Sequence, residues 1–463
     1  MAKRIVCVGL GILVMGMTTS CTGPGRFTGA QGEVKLMTLD PGHFHAALVQ
    51  KVMYDQVAPT VHVYAPPGSD VEDHLQRIEG FNTRSENPTH WQEVVHARGD
   101  FLEQMLAERP GNVVIISGNN RRKTEYIKAC AAAGLHQLVD KPMCIDQKGF
   151  ELLLEAFDAA DRNDVLLYDI MTERSEICTM LQRELMQMEP VFGQLVTGTP
   201  DEPAFETESV HHLFKMVAGN PIKRPGWYFD TTQQGEGIVD VTTHLVDLVA
   251  WECFPEVPID YKTDIEILAA KRWPTMITRE QYRKVTRLED FIPELKDQLD
   301  AEGRLPCYVN GQIDYTIKGV HARVRVLWNY EAPPGGQDTH YAVVRGTRAN
   351  LVIRQGAEQN FRPELYIEPA RPELTVPLAV ALPRAILSLQ EKYPGIKLEP
   401  SGEKWHVFVP DRYHVGHEAH FGEVTERFLQ YLVDGKLPDW EVPNMKAKYY
   451  VTTTALEMAR QTP

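Results

Sequence analysis

Between residues 33 and 169 short apolar runs alternate with longer stretches of helical period. The runs fall at 34–39, 60–64, 112–117, 137–139 and 165–168, and helical stretches begin near Phe44, cover about 99–108 and restart at Lys123. Runs too apolar to alternate, each followed by a helix, predict a parallel sheet buried under helices on both faces. Residues 34–169 are therefore expected to form an N-terminal α/β domain, a Rossmann-type doubly wound parallel sheet. Ligands of such sheets bind beyond the carboxyl ends of the strands, so the residues just after each run are the informative ones.

The pattern changes further on. Residues 304–353 carry long alternating runs, notably 315–329 and 341–345, which predict an antiparallel sheet with one solvated face. Residues 355–410 are richer in proline and charge and read as an insertion, and helical periods return at 421–433 and 445–459. The expectation for 170–463 is a C-terminal α+β domain with a large open, mostly antiparallel sheet, serving as substrate and oligomerisation domain.

The first 33 residues stand apart. Lys3 and Arg4 precede an apolar run over 5–17. As a helix this run is about 20 Å long, short of the roughly 30 Å of hydrocarbon that a span must cross. Residues 1–20 therefore read as a signal peptide and 21–33 as a tether. Thr18-Thr19-Ser20-Cys21 resembles a lipobox with threonine where leucine is usual. The expectation is cleavage before Cys21, a lipid on its thiol and a place on the periplasmic side of a bacterial membrane; a simple secretory signal is the alternative. The glycines at Gly9 and Gly11 imitate a nucleotide turn, but no amphipathic helix follows them.

Composition bounds the rest. With 463 residues, 43% hydrophobic and 24% charged, the chain has material for two or three sizeable cores. The formal charge of −15, which becomes −17 when Lys3 and Arg4 leave, argues against nucleic acid or an anionic lipid surface as partner. Cys130, Cys144, Cys178, Cys253 and Cys307 have neither zinc nor thioredoxin spacing, and their odd number argues against a full disulfide framework.

Candidate chemistry sits at the strand ends. The first run is followed by Asp40-Pro41-Gly42-His43-Phe44-His45. Gly42 fits the central glycine of a dinucleotide turn, with a helix N-terminus expected beyond it, while Asp40 and His45 stand at the other two glycine positions; a plain β-to-α turn is the alternative. At the end of the second run Ala65 occupies the place of the usual ribose-binding acid, with Ser69, Asp70 and Asp73 close behind. No arginine follows to meet a 2′-phosphate, so NAD is favoured, with NADP as the alternative. Later turns carry Ser117-Gly118-Asn119-Asn120 and Asp140-Lys141-Pro142, and a helix carries Asp240, His244 and Asp247 along one face. A lysine at a strand end coupled to a histidine on a later helix points to alcohol or carbonyl redox chemistry.

These motifs resemble the glucose–fructose oxidoreductase, inositol dehydrogenase and MocA family. That family pairs a threonine-proline-asparagine turn with a glutamate-lysine-proline triplet, here Ser117-Gly118-Asn119 and Asp140-Lys141-Pro142. Its aspartate-x-glycine-x-histidine-x-x-aspartate motif is matched by Asp240 to Asp247, with Thr242 in place of the glycine. The resemblance covers about residues 35–255 well and the last 45 loosely. It implies that Asp40, Gly42, His43, Phe44, Ser117, Asn119, Asn120, Asp140 and Lys141 meet a nicotinamide dinucleotide. It also implies that His244 is general base, that Lys141 stabilises the developing alkoxide, and that Asp240 holds the substrate hydroxyl or tunes His244. Arg174, His211, His212, Lys215 and Trp227 are the candidate carbohydrate contacts, and a homo-oligomer is expected. His414, His417 and His420 spread over about 120° of helix, too wide for one ion, so no metal is expected; His417 is placed near the substrate mouth.

Outside the cytoplasm there is no free nicotinamide pool, so a bound and recycled NAD is expected. It would serve coupled oxidation and reduction of two sugars, transient oxidation with elimination of a glycosidic substituent, or reoxidation by an acceptor. The rival is a non-catalytic sugar-binding lipoprotein with the same pocket.

Overall fold

A computed structural model describes residues 27–217 and 220–461. The signal peptide, Cys21 and the first part of the expected tether lie outside the described residues. From Phe27 the chain is already folded, which shortens the tether expected over 21–33. Phe27 is 6% exposed with its ring 5.2 Å from that of His136, and the Glu33 carboxylate accepts the backbone N–H groups of Thr28, Gly29 and Ala30.

The first domain alternates β1 (Leu36–Leu39), α1 (His45–Leu48), β2 (Thr60–Ala65), α2 (Ser69–Thr83), β3 (Gln92–Ala97), α3 (Phe101–Glu108), β4 (Val113–Ile116), α4 (Lys123–Ala132), β5 (His136–Asp140), α5 (Gln147–Arg162) and β6 (Leu167–Ile170). All pairings are parallel and the order is β3-β2-β1-β4-β5-β6. Strand order reverses between β1 and β4, and the crevice for a ligand opens over their carboxyl ends. The strands β1, β4, β5 and β6 are buried along their whole length, the reason they read as continuous apolar runs. Strand β3 has no counterpart in the sequence pattern. It is an edge strand with Val94 and Val95 about 40% exposed (39% and 41%), so no apolar face marks it.

The second domain contains α6 (Ile177–Met186), α7 (Glu189–Phe192), β7 (Phe205–Phe214), the small hairpin β8 (Met216–Val217) and β9 (Asn220–Pro221), α8 (Thr231–Gln234), α9 (Thr242–Cys253), β10 (Ile265–Ile277), α10 (Arg279–Thr286), β11 (Leu305–Ile317), β12 (Val320–Glu331), β13 (Thr339–Arg345), β14 (Ala349–Gln355), β15 (Glu364–Pro369), α11 (Thr375–Lys392), β16 (Lys397–Ser401), β17 (Lys404–Phe408), α12 (His417–Asp434) and α13 (Glu441–Gln461). Nine strands form one sheet in the order β10-β11-β12-β7-β13-β14-β15-β17-β16. Only β7 and β12 pair in parallel. Helices α6, α9, α11 and α13 bury one face, sharing a core with Ile313, Val324, Val344, Leu351 and Ile367 of the sheet. The other face is a lattice of ion pairs such as Glu206–Arg345, Glu208–Arg325 and Glu368–Arg354, which explains the strict alternation of its strands.

Two expectations change. Residues 355–410 are not an insertion on the surface: they supply β15, α11, β16 and β17, which extend the sheet. Their proline and charge reflect edge strands and turns. Helix α12 packs back on the first domain, where Phe421, Val424, Phe428 and Leu429 join the core built by β1, β4 and β5. The two domains are thus fastened by a helix that the expected boundary at 170 assigns wholly to the second.

Candidate active site

The end of β5 delivers Lys141 into the crevice, where its ammonium donates to Asp240 Oδ1 at 2.6 Å. Both side chains are nearly withdrawn from solvent, 11% and 7% exposed, and Gln234 Nε2 donates to the other Asp240 oxygen at 3.1 Å. A close turn sets this up: a Cβ on Gly237 would lie 1.8 Å from Val309 O, so only glycine lets the chain before α9 pass against β11. His244 follows on the first turns of α9, 7% exposed, with Nδ1 buried and without a hydrogen-bond partner. Burial pushes its pKa well below the ordinary imidazole value, and the Lys141 ammonium and His417 push the same way against Asp247 and Asp140. A neutral imidazole beside a lysine is ready to accept a proton. Thr242, in the place of the family glycine, is fully buried and donates its hydroxyl to Gly237 O at 3.0 Å.

Asp247 and Arg174 depart from expectation. The Arg174 guanidinium holds both Asp247 oxygens, at 2.6 and 2.7 Å, and also Glu441 at 2.8 Å. Lys448 donates to Asp247 Oδ1 at 2.7 Å and lies 2.8 Å from Asp169 Oδ2. Burial alone would raise the Asp247 pKa, but Arg174 and Lys448 outweigh it and hold the carboxyl well below its usual range. Asp247 therefore braces α9 from behind and acts on His244 only through its charge. Arg174, 3% exposed, is part of this brace and not the sugar contact expected of it. Its neighbour Glu173 stays clear of these ion pairs; burial, then Glu176, push its pKa up to about 7 while Lys141 pulls it down. The sequence places both residues on one turn, and adjacent side chains of that turn diverge.

The nucleotide turn interlocks with the turn after β4. A Cβ on Gly118 would lie 2.0 Å from Asp40 O and 2.7 Å from Gly42 N, so the glycine is required by close approach of the two backbones. Asp40 adopts φ 48°, the left-handed conformation natural to the glycine it replaces, and accepts from Tyr126 OH at 3.0 Å. The helix beyond the turn, α1, is a single turn of four residues, so the dipole expected at its N-terminus is weak. Beneath the turn, His45 Nδ1 and Ser117 Oγ donate to Asp140 Oδ2 at 2.9 and 2.8 Å, and His43 Nδ1 lies 3.5 Å from the same oxygen. Burial works to raise the Asp140 pKa, yet His45, Lys123 and His43 hold it well below the carboxylate range. His43, His45 and Asp140 bring ligand atoms within 4.8 Å of one another. A cation there would face the ammonium groups of Lys123 and Lys141, both of which depress the His43 pKa, so the cluster reads as a hydrogen-bonded support.

Asn119 and Asn120 face the second domain. Asn119 Nδ2 donates to Gln233 Oε1 at 2.7 Å and Asn120 Nδ2 to Gln234 O at 2.6 Å, while Arg121 reaches Thr232 Oγ1 at 2.6 Å. Farther along the same strap, Trp227 Nε1 donates to Asp70 Oδ2 at 2.8 Å and Lys223 meets Asp73 at 3.0 Å. A Cβ on Gly42 would lie 3.2 Å from the Trp227 ring. Trp227, expected at the sugar, thus closes over the nucleotide turn, beside a small cleft lined by Gly42, Phe44, Asp70, Arg77, Lys223 and Tyr228.

The remaining candidates form one wall. His212 Nδ1, His211 Nδ1 and Lys215 Nζ converge on the Asp338 carboxylate at 2.9, 3.4 and 2.5 Å. His211 lies with its ring centroid 4.8 Å from that of Trp328, and its Nε2 is buried without a partner. Burial lowers the His211 pKa, Asp338 opposes this, and Lys141 adds to the lowering, which puts the histidine within electrostatic reach of the lysine. Asp338 is the residue sequence reasoning missed. It lies between β12 and β13, 123 to 127 residues from its partners, and no spacing announces it.

Residues 181–460 match the family described as "Putative oxidoreductase C terminal domain". Among solved structures, a "putative oxidoreductase" of Parabacteroides merdae ATCC 43184 is 56% identical, covering 95% of this chain and 100% of its own, with a TM-score of 0.93. Levoglucosan dehydrogenase, solved in complex with NADH and levoglucosan, shares the fold at 11% identity over 92% of this chain and 97% of its own, TM-score 0.59. A 3-ketoreductase from Actinomadura kijaniata, solved with NADP, does so at 12% identity over 92% and 97%, TM-score 0.54. No curated protein matches the chain in sequence. The chain belongs to the oxidoreductase family defined by that C-terminal domain, built on the two-domain fold of the glucose–fructose oxidoreductase, inositol dehydrogenase and MocA type.

Proposed function

We propose that the protein is a NAD(P)-dependent oxidoreductase acting on a secondary hydroxyl or ketone of a sugar or glycoside, with a dinucleotide that stays bound and is recycled. The observation that carries this reading is the Lys141–Asp240 pair at 2.6 Å set beside a neutral His244 whose buried Nδ1 lacks a partner. The crevice at the β1–β4 reversal is where such a sheet takes a dinucleotide, and glycine at 118 lets the turn after β4 close on Asp40 and Gly42 there. When bound, the nicotinamide takes or returns a hydride. Lys141 stabilises negative charge on the reacting oxygen, His244 accepts its proton, and Asp240 fixes the lysine. Asp338 sets His211 and Lys215 against the sugar's other hydroxyls. Gentle purification followed by mass and absorbance of the bound molecule, then addition of a glycoside panel, tests this: a retained nicotinamide dinucleotide that one of the sugars reduces is expected, and a protein that neither retains nor binds one refutes it.

The strap from Lys223 to Gln234 accounts for retention. Trp227→Ala removes a hydrogen bond to a carboxylate and should speed dinucleotide release about tenfold, the weight of one charge-assisted bond. Release is followed as loss of nicotinamide fluorescence after a chase with excess free nucleotide; an unchanged rate would show that the strap holds nothing.

A second reading, oxidation followed by elimination of a glycosidic substituent, is supported by Glu173 and His211. These are two further proton acceptors close to Lys141, and a base for a carbon acid next to the new ketone is what elimination requires. Export and a lipid on Cys21 belong to the same proposal. Mass spectrometry of the N-terminal peptide from the native host should find an acylated Cys21, and an unmodified chain beginning at Met1 would remove the resident-cofactor argument.

A further inference from the structure

The nucleotide turn is short of the positive charge that a dinucleotide's phosphates require. Helix α1 beyond it has four residues, too few to hold a phosphate at its N-terminus, and Asp40 adds a carboxylate close to Gly42. The cations stand elsewhere. Arg224 of the strap is 7% exposed, and no carboxylate among the described residues pairs with it. Its Nε donates to Leu213 O at 2.9 Å and its Nη2 to His212 O at 3.5 Å, and the guanidinium carbon lies 4.4 and 5.3 Å from the ring centroids of Tyr228 and Trp328. Two carbonyls and two rings fix the guanidinium without neutralising it, and a buried cation lacking a counter-ion is costly until an anion meets it.

Arg224 lines the small cleft beside the nucleotide turn together with Gly42, His43, His74 and Arg77. Lys223 on the same cleft is neutralised by Asp73 at 3.0 Å, and Asp70 accepts from Trp227 Nε1 at 2.8 Å. Arg77 stands over the Phe44 ring at 5.8 Å and pairs with no carboxylate among the described residues. The lining thus sets two unpaired arginines against the single carboxylate of Asp70. His74 is an independent sign of a ligand: it is 3% exposed, and both of its ring nitrogens are buried without a partner. Burial, then Arg77, push its pKa down to about 4, so the ring stays neutral and offers one donor and one acceptor. A ribosyl phosphate supplies the complement, an acceptor oxygen next to hydroxyl donors.

We infer that Arg224 and Arg77 are the cation site for the diphosphate of the dinucleotide, with His74 at the adjoining ribose, so that the strap and α2 supply the charge the turn lacks. This rests on the proposed dinucleotide reading and says where its phosphates are met. A carboxylate on the sugar fits Arg224 less well, because none of His211, His212, Lys215 and Asp338 lines this cleft.

Calorimetry of the full chain, freed of nucleotide on charcoal, tests it with NADH, ADP and adenosine. Wild type should bind ADP about tenfold or more tighter than adenosine. Arg224→Met should weaken ADP and NADH by about 10- to 100-fold, the weight of charge-assisted hydrogen bonds, and leave adenosine unchanged. Arg224→Lys, which keeps the charge, should recover part of that loss. Arg77→Ala changes an exposed side chain that folding does not need, and should cost ADP about tenfold with adenosine again unchanged. If either Arg224→Met or Arg77→Ala binds ADP as tightly as wild type while NADH still binds, the inference falls and the dinucleotide reading stands. Equal losses of ADP and adenosine in Arg77→Ala would also overturn it, since the phosphates would then not be what the arginine meets. A wild type that binds neither NADH nor ADP would overturn both.

Discussion

Replacing Lys141 with alanine should lower turnover by about 10³-fold, the upper range for loss of one preorganised electrostatic donor, while the bound dinucleotide is retained. The ammonium is held by a 2.6 Å hydrogen bond to Asp240, in a setting where both partners are largely dehydrated. It therefore meets developing charge without the reorganisation that water would need. The variant has a second signature. Lys141 is the largest charge lowering the His244 pKa after burial itself. In wild type the acid limb of kcat/KM should fall well below pH 6.5, the ordinary value for histidine, because the imidazole stays neutral there. Without Lys141 that limb should move toward higher pH. An enzyme that lost only its fold would show no such displacement, so a pH profile of Lys141→Ala on residual activity separates the two. His244→Ala should cost between about 10² and 10⁴, and the double variant little more than the worse single one, because in the proposed mechanism the residues act on the same proton and oxygen.

The second large effect concerns the brace behind α9. Arg174→Met should destabilise the protein by about 3–5 kcal/mol, the range for removing one partner from a buried ion pair. Arg174, Asp247, Glu441, Lys448 and Asp169 are all within hydrogen-bonding distance of a partner and essentially excluded from solvent. Loss of the guanidinium leaves Asp247 with Lys448 alone and Glu441 with no cation. The midpoint of urea unfolding, measured at neutral pH, reads this directly. The effect should shrink in acid. The folded Asp247 pKa is depressed, so its contribution is full above the unfolded carboxylate value near 3.9 and fades as pH falls toward the folded one. A loss under about 1 kcal/mol would mean that the brace is more open to water than its burial implies.

How far the sequence revealed this site depends on where each residue lies. Lys141 was legible because it ends a buried strand, and His244 because it falls in a helical stretch; Asp240, expected on the same helical face, lies in the turn before α9. The parallel sheet was legible from strands buried on both sides. Strand β3 was not, because an edge strand with exposed valines keeps no period. Asp338 was hidden by its distance along the chain from the three groups that bind it. Arg174 was expected at the sugar and turns inward instead: residue type alone does not tell which way a polar side chain of that turn points, and Asp247 and Glu441 decide it. Trp227 illustrates the same limit between domains, since its partner Asp70 lies 157 residues away. The helix after His417 looked like part of the second domain because packing across a boundary leaves no mark on periodicity.

The most direct test of the Lys141–His244 site is the nicotinamide absorbance of gently purified protein on addition of a glycoside panel, recorded for wild type and Lys141→Ala together. The account predicts that both proteins carry the dinucleotide and that a glycoside reduces it rapidly in wild type and about 10³-fold more slowly in the variant. Equal rates of reduction in the two proteins would contradict it.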